Sequence, residues 1–82
     1  MTTHPPLRVF VLSGPNTNLY GLDSNGPYGS LTLADIAERC RARAAELGAE
    51  VDFRQSNHEG ELVDWIQEAR TGADGIVINA GS

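Results

Sequence analysis

The chain contains no lysine. Its six basic residues are all arginines, set against eleven acidic residues, for a formal net charge of −5. There is no Lys/Arg-rich run or stripe, which excludes nucleic acid and anionic membranes as expected partners. Cysteine is almost absent: Cys40 alone makes neither an internal disulfide nor a metal site. Histidine is scarce too. His4 lies near the N-terminus and His58 stands beside Glu59 with no second histidine near it, so no metal cluster is expected. The longest apolar runs are four or five residues, too short to span a bilayer. The opening MTTHPPLRVF lacks the basic start and small-residue cleavage site of a signal peptide. The expectation is a cytoplasmic protein with a disordered tail over residues 1–6. Eighty-two residues make one small domain. A chain this short buries roughly 60% of the surface its unfolded form exposes, so oligomerisation or further sequence is expected to support it.

What the chain does have is alternation. Leu7-Arg8-Val9-Phe10-Val11-Leu12 reads as a strand covered on both faces. Thr32 with Asp35 three residues on makes a capping box. Leu33, Ile36, Ala37, Cys40, Ala44 and Leu47 then form one apolar helical stripe that ends at Gly48. Cys40 sits in that stripe and reads as a small core residue. Glu50-Val51-Asp52-Phe53-Arg54 is a short alternating strand. Ser56 with Glu59 is a second capping-box pattern, opening a helix through Leu62, Val63, Ile66 and Ala69 to about Gly72, with Trp65 packing beside it. Gly75-Ile76-Val77-Ile78-Asn79 is a third strand. The order β-loop-α-β-α-β with short connections predicts a parallel α/β sheet with right-handed crossovers.

That topology places chemistry outside the carboxyl ends of the strands. Those ends are Ser13-Gly14-Pro15-Asn16, Gln55-Ser56-Asn57 and Asn79-Ala80-Gly81, all polar or small. The first runs into GPNTNLYGLDSNGPYG, residues 14–29, whose single charge is Asp23. It is neither a Walker A loop nor a GxGxxG turn, so phosphate binding is not indicated. Its chemistry rests on Asn16, Asn18, Tyr20 and Tyr28. Asparagines hydrogen-bond hydroxyls, carbonyls and waters. A tyrosine acting as a base near neutral pH needs a nearby cation to hold the phenolate. His58 reads as a first-turn helix residue, and Glu59 and Glu61 as carboxylates favoured by the helix dipole. From pattern alone the ligand is small, polar and uncharged where it meets the loop.

GPNTNLYG, Tyr28-Gly29-Ser30, RQSNHEGELVDWI from Arg54 and INAG from Ile78 together resemble the type II 3-dehydroquinate dehydratases. The likeness runs from about Leu7 to Ser82 without a gap. It implies a flavodoxin-like, three-layer α/β/α domain, of which residues 7–82 would be the N-terminal part, with the first three strands and two helices. It implies the trans dehydration of 3-dehydroquinate to 3-dehydroshikimate through an enolate, without metal or cofactor. This step serves aromatic amino acid biosynthesis (the shikimate pathway) or quinate breakdown. It also implies a homo-oligomer, a dodecamer of trimers. By the same resemblance Tyr28 matches the proton-abstracting base, Asn16 the residue that orders the active-site water, and Asn79 a substrate-binding asparagine.

Two departures stand out. The family loop reads Asn-Leu-Leu-Gly-x-Arg-x-Pro-x-x-Tyr-Gly, so Asp23 occupies the place of the arginine that favours the phenolate. An anion there raises the phenol's pKa, and Arg54, ending the second strand, is the one candidate substitute. Family members also run to roughly twice this length, with the acid histidine after the third strand, so the chain reads as an N-terminal portion with impaired activity. A three-stranded sheet would moreover leave the third strand as an exposed apolar edge. Two readings follow: a dehydratase portion, or a non-catalytic remnant serving as a small α/β binding or assembly module.

Overall fold

The computed structural model describes residues 6–23, 25–26 and 29–81. The tail expected over 1–6 therefore lies outside it except for Pro6, which is exposed. Strand β1 (Leu7–Ser13) is followed by a single 3-10 turn (Thr17–Leu19), helix α1 (Leu33–Glu46), strand β2 (Ala49–Gln55), helix α2 (Glu59–Gly72) and strand β3 (Gly75–Asn79). The three strands are parallel and lie in the order β2-β1-β3. This matches the expected class, and the order is that of the first three strands of a flavodoxin-like sheet. The chain crosses to one side of β1 through α1 and to the other through α2. Right-handed crossovers in opposite directions put the two helices on opposite faces.

Side-chain parity decides what each face holds. Phe10 and Leu12 point towards α2 and are 1% and 0% exposed, packed with Leu62 and Ala69 and flanked by Trp65 and Ala73. Each such buried side chain contributes about 1.5–3 kcal/mol. Val9 and Val11 point the other way, beside Val51 and Phe53 of β2 in register. This α1 face is not sealed. Helix α1 lies over β2 and buries Ala37 and Ala44, while a groove of about 670 Å3 opens beside it along Val9, Val11, Leu33, Ile36 and Val77. The expectation that β1 is covered on both faces thus holds towards α2 but not towards α1, where Val9 and Val11 are only half-buried.

The apolar edge is present as expected: Ile76, Val77 and Ile78 of β3 are 41%, 57% and 48% exposed. The α2 stripe is narrower than its pattern. A three-stranded sheet meets only one line of the helix, Leu62, Trp65 and Ala69, and leaves Val63 and Ile66 exposed.

The two capping-box patterns behave differently. Thr32 Oγ1 accepts from the Asp35 N–H at 3.1 Å while Asp35 Oδ2 accepts from the Thr32 N–H at 3.0 Å, so the first box forms in full. These bonds hold the Asp35 carboxyl below its ordinary pKa, the Thr32 backbone contact being the main cause. The box predicted from Ser56 and Glu59 does not form. The cap of α2 is His58, with no side-chain capping bond, because Ser56 belongs to the strand exit. The Ser56 N–H is bonded to the Ser13 carbonyl, and its Oγ accepts from the His58 N–H at 2.9 Å, turning the chain into the helix.

Candidate active site

The three strand ends are tied together at one edge of the sheet. The Gly14 N–H donates to the Asn79 carbonyl at 2.8 Å, and the Ser56 N–H donates to the Ser13 carbonyl at 3.0 Å. Backbones touch here: a Cβ on Gly14 would collide with the Ala80 carbonyl, and one on Gly81 with the Pro15 carbonyl. Only glycine allows that approach, and Gly81 adds a φ of 72°. The loop after β1 is then fixed by the Gly14 carbonyl, which accepts from the buried Thr17 hydroxyl at 2.7 Å and from Gln55 Nε2 at 3.3 Å.

Asn16 takes the left-handed conformation, φ 69° and ψ −4°, and is the only described non-glycine residue to do so. Asparagine tolerates this region better than most residues. Its N–H donates at 2.9 Å to Asn57 Oδ1, which also accepts from Gln55 Nε2 at 3.1 Å. The β2 exit thus holds the backbone of Asn16 in place. On the other side Asn79 Nδ2 donates to the Tyr20 hydroxyl at 3.1 Å, and Asn79 Oδ1 accepts from the Gly81 N–H at 3.1 Å.

Beyond Tyr20 the loop continues through short turns. The Leu22 N–H bonds to the Leu19 carbonyl, and the Gly26 N–H to the Asp23 carbonyl. The Asp23 side chain accepts from the Asn25 N–H at 2.9 Å, so this carboxylate closes an Asx turn. The loop encloses a cavity of about 270 Å3 lined by Asn16, Tyr20, Asp23 and the glycines 21, 26 and 29 among others. Among its described lining residues the one charge is negative.

Of the site residues named from sequence, Asn16 and Asn79 stand at this edge and Asp23 lines the loop cavity. Tyr28, the matched base, lies outside the described residues. Asn18 is exposed, and Cys40, expected in the core, is only half-buried on α1, where it lines the open groove. Tyr20, also named from sequence, stands at the edge against Asn79, while Gln55 and Asn57 sit on a flagged strand end with no expected part in a network. The signal for Gln55 and Asn57 was positional: both are polar amides at the exit of a parallel strand.

Arg54 is not available to replace the missing arginine. Its register partner is Leu12, so it stands on the α2 face. There its guanidinium grips Asp52 with two bonds of 3.0 and 2.9 Å and Glu68 with one of 2.7 Å. It also lies 4.4 Å from the Phe10 ring centroid and 5.5 Å from that of Trp65. Arg54 lowers the carboxyl pKa of both Asp52 and Glu68, chiefly through these hydrogen bonds, while its own is raised. Its charge is committed to structure.

Fold and edge together define a class: an open, parallel α/β module whose strand exits are tied together beside a glycine-rich loop. The sequence pattern of the family described as Dehydroquinase class II matches residues 7–82, and the chain belongs to that family. It is 61% identical over 74 residues to the 3-dehydroquinate dehydratase of Mesorhizobium japonicum and 60% identical to that of a Chelativorans species. Each match covers 90% of this chain and 51% of the relative. The crystal structure of type II dehydroquinase from Butyrivibrio crossotus superposes with a TM-score of 0.88 at 36% identity, covering 96% of this chain and 55% of that one. That of Propionibacterium acnes gives 0.85 at 33% identity. The chain spans about half the length of the curated relatives it matches. No helix of the described residues is long and apolar enough to cross a membrane.

Proposed function

We propose that the chain carries the enolate-forming part of a 3-dehydroquinate dehydratase site and binds 3-dehydroquinate there. The supporting observation is the joined edge of Asn16, Asn57, Tyr20 and Asn79 under the loop, in a chain of the dehydroquinase family. In this reading the Tyr28 phenolate takes the proton alpha to the ketone, Asn16 orders a water that steadies the enolate oxygen, and Asn79 hydrogen-bonds the substrate. Departure of the β-hydroxyl as water, its proton supplied by the acid histidine that the resemblance places after the third strand, leaves the conjugated enone, 3-dehydroshikimate. The loop acts as a lid that excludes water. Asp23 opposes the first step. By the loop pattern Asp23 stands where the resembled family has the arginine that favours the phenolate, and an anion beside a phenol disfavours that form. Catalysis by this chain is accordingly impaired. The setting we propose is cytoplasmic, in aromatic amino acid biosynthesis or quinate breakdown, with the whole protein a dodecamer of trimers.

One observation favours a second reading, a non-catalytic α/β binding or assembly module. Asp23 lines the loop cavity, and the candidate replacement cation, Arg54, is held on the other face by Asp52 and Glu68.

Both readings are tested by titrating the purified chain with 3-dehydroquinate in a calorimeter and then following the ultraviolet absorbance of the enone. Saturable binding with slow turnover that Tyr28→Phe abolishes supports the first reading. Binding with a rate equal to the no-protein control supports a module that keeps the site without the reaction. No binding at all refutes both the substrate and the site.

A further inference from the structure

We infer that Tyr20 is a positioning residue that latches the loop to the end of β3 and sets the orientation of the Asn79 amide. This rests on the proposed role of Asn79 in substrate binding. The loop pattern given above has leucine at this place, which offers no hydroxyl.

Asn79 is held at both ends. Its Oδ1 accepts from the Gly81 N–H, a group that can only donate, so the amide is not free to turn over: a reversed amide would face donor against donor. Its Nδ2 is then directed at the loop, where the Tyr20 oxygen accepts one of its two protons across 59 residues of sequence. One Nδ2–H and one lone pair of Oδ1 remain for a ligand, and their directions are set by the two bonds already made.

The place of Tyr20 in the fold suits this task. Its ring lines both the loop cavity and the upper end of the groove between α1 and the sheet, so it stands where the two spaces meet. The backbone around it is short-tethered, with the Tyr20 N–H on the Thr17 carbonyl and Thr17 buried against Gly14. Movement of the latch is therefore movement of the loop. A ligand that holds Asn79 through its remaining proton closes onto a site whose geometry the tyrosine has already fixed, which lowers the ordering cost of binding.

The test uses Tyr20→Phe, which keeps the ring and removes only the hydroxyl, with Tyr20→Leu as a second variant. Two quantities are read on the chain: the side-chain amide signals of Asn79 in a 1H–15N spectrum without ligand, and the dissociation constant for 3-dehydroquinate. Loss of one hydrogen bond between neutral groups corresponds to a roughly two- to ten-fold change in affinity. We expect Tyr20→Phe to shift the Asn79 signals, to speed exchange of its amide protons, and to raise the dissociation constant about five-fold. The Leu variant should show at least as large an effect. Unchanged Asn79 signals in the Phe variant would overturn the latch. Shifted signals with unchanged affinity would overturn the positioning role. Failure of the unsubstituted chain to bind 3-dehydroquinate overturns the proposed function and the positioning role with it, while the spectra still decide whether the latch exists.

Discussion

Replacing Asn57 with alanine should loosen Asn16 without touching it. In the structure Asn57 Oδ1 is the acceptor for both the Asn16 N–H at 2.9 Å and Gln55 Nε2 at 3.1 Å. Asn57 and Asn16 are exposed, so water replaces the lost acceptor and the cost stays near the low end, about 0.5–1 kcal/mol per bond. Gln55 keeps its contact to the Gly14 carbonyl, which limits its share. Asn16 offsets part of this, because a left-handed residue other than glycine sits about 1 kcal/mol above its alternatives and sheds that strain once its clamp is gone. The expected loss is therefore about 0.5–1.5 kcal/mol, or a fall of about 2–12 °C in Tm for a domain of this size. Urea unfolding followed by the fluorescence of Trp65 measures it, and the backbone amide signal of Asn16 reports the clamp itself. Asn57→Asp is the control: a carboxylate oxygen accepts the same two bonds, so the signal and most of the stability should return. A Tyr28-independent loss of affinity for 3-dehydroquinate should accompany Asn57→Ala alone. If Asn57→Ala is as stable as the original, or if Asn57→Asp is equally damaged, the acceptor is not what holds Asn16.

Three further outcomes follow from the same geometry. Arg54→Met keeps the packing between Phe10 and Trp65 but leaves Asp52 and Glu68 unpaired. Loss of the partly buried Asp52 pair should cost about 1 kcal/mol by urea unfolding, with the exposed Glu68 adding little, and should leave ligand affinity unchanged. Because Arg54 lowers the pKa of Asp52 from its ordinary 3.8, the folded chain binds fewer protons at this group than the unfolded one. That contribution is whole above pH 3.8 and is lost as pH falls through the lower folded value, so Asp52→Asn should make the stability profile shallower below pH 4. Asp23→Asn keeps an oxygen for the Asn25 N–H and removes the charge, whereas Asp23→Arg adds the cation at the cost of the Asx turn. Turnover should rise from the original through Asn to Arg, and an unchanged rate in all three would sever Asp23 from the chemistry.

Much of this arrangement is legible in the sequence, and the parts that are not have physical reasons. The continuous apolar runs of β1 and β3 and the alternation of β2 place the strands to within about a residue of where they lie, because parity and turn residues are local signals. The Thr32 box was readable for the same reason. Ser56 and Glu59 show the identical spacing and do not cap, because the Ser56 N–H pairs with Ser13 across the sheet and that pairing has no local mark. The exposure of Val63 and Ile66 depends on sheet width, which no helix encodes. Arg54 was placed by its position at a strand end, when its parity with Asp52 would have put it on the α2 face. Asn79 and Tyr20 are each marked by the sequence, but the bond between them joins positions 59 residues apart and needs the fold to exist first.

The division of labour between the two faces explains the character of the site. Parity sends all three charged residues of β2, Glu50, Asp52 and Arg54, to the α2 side, where Asp52 and Arg54 neutralise one another over Phe10. What the strand exits present at the site edge is then neutral: three asparagines, one glutamine, a phenol and backbone groups. Such groups fix directions well, since each bond is geometrically specific and none competes with a strong field. They stabilise a developing anion poorly, because neutral hydrogen bonds are roughly half as strong as charge-assisted ones. A dehydration that passes through an enolate and a phenolate needs positive charge close at hand, and the described lining of the loop cavity supplies Asp23 instead. On the proposed reading, the orienting groups of the site lie on this sheet, and the charge that would drive the reaction comes from groups other than those the strand exits provide.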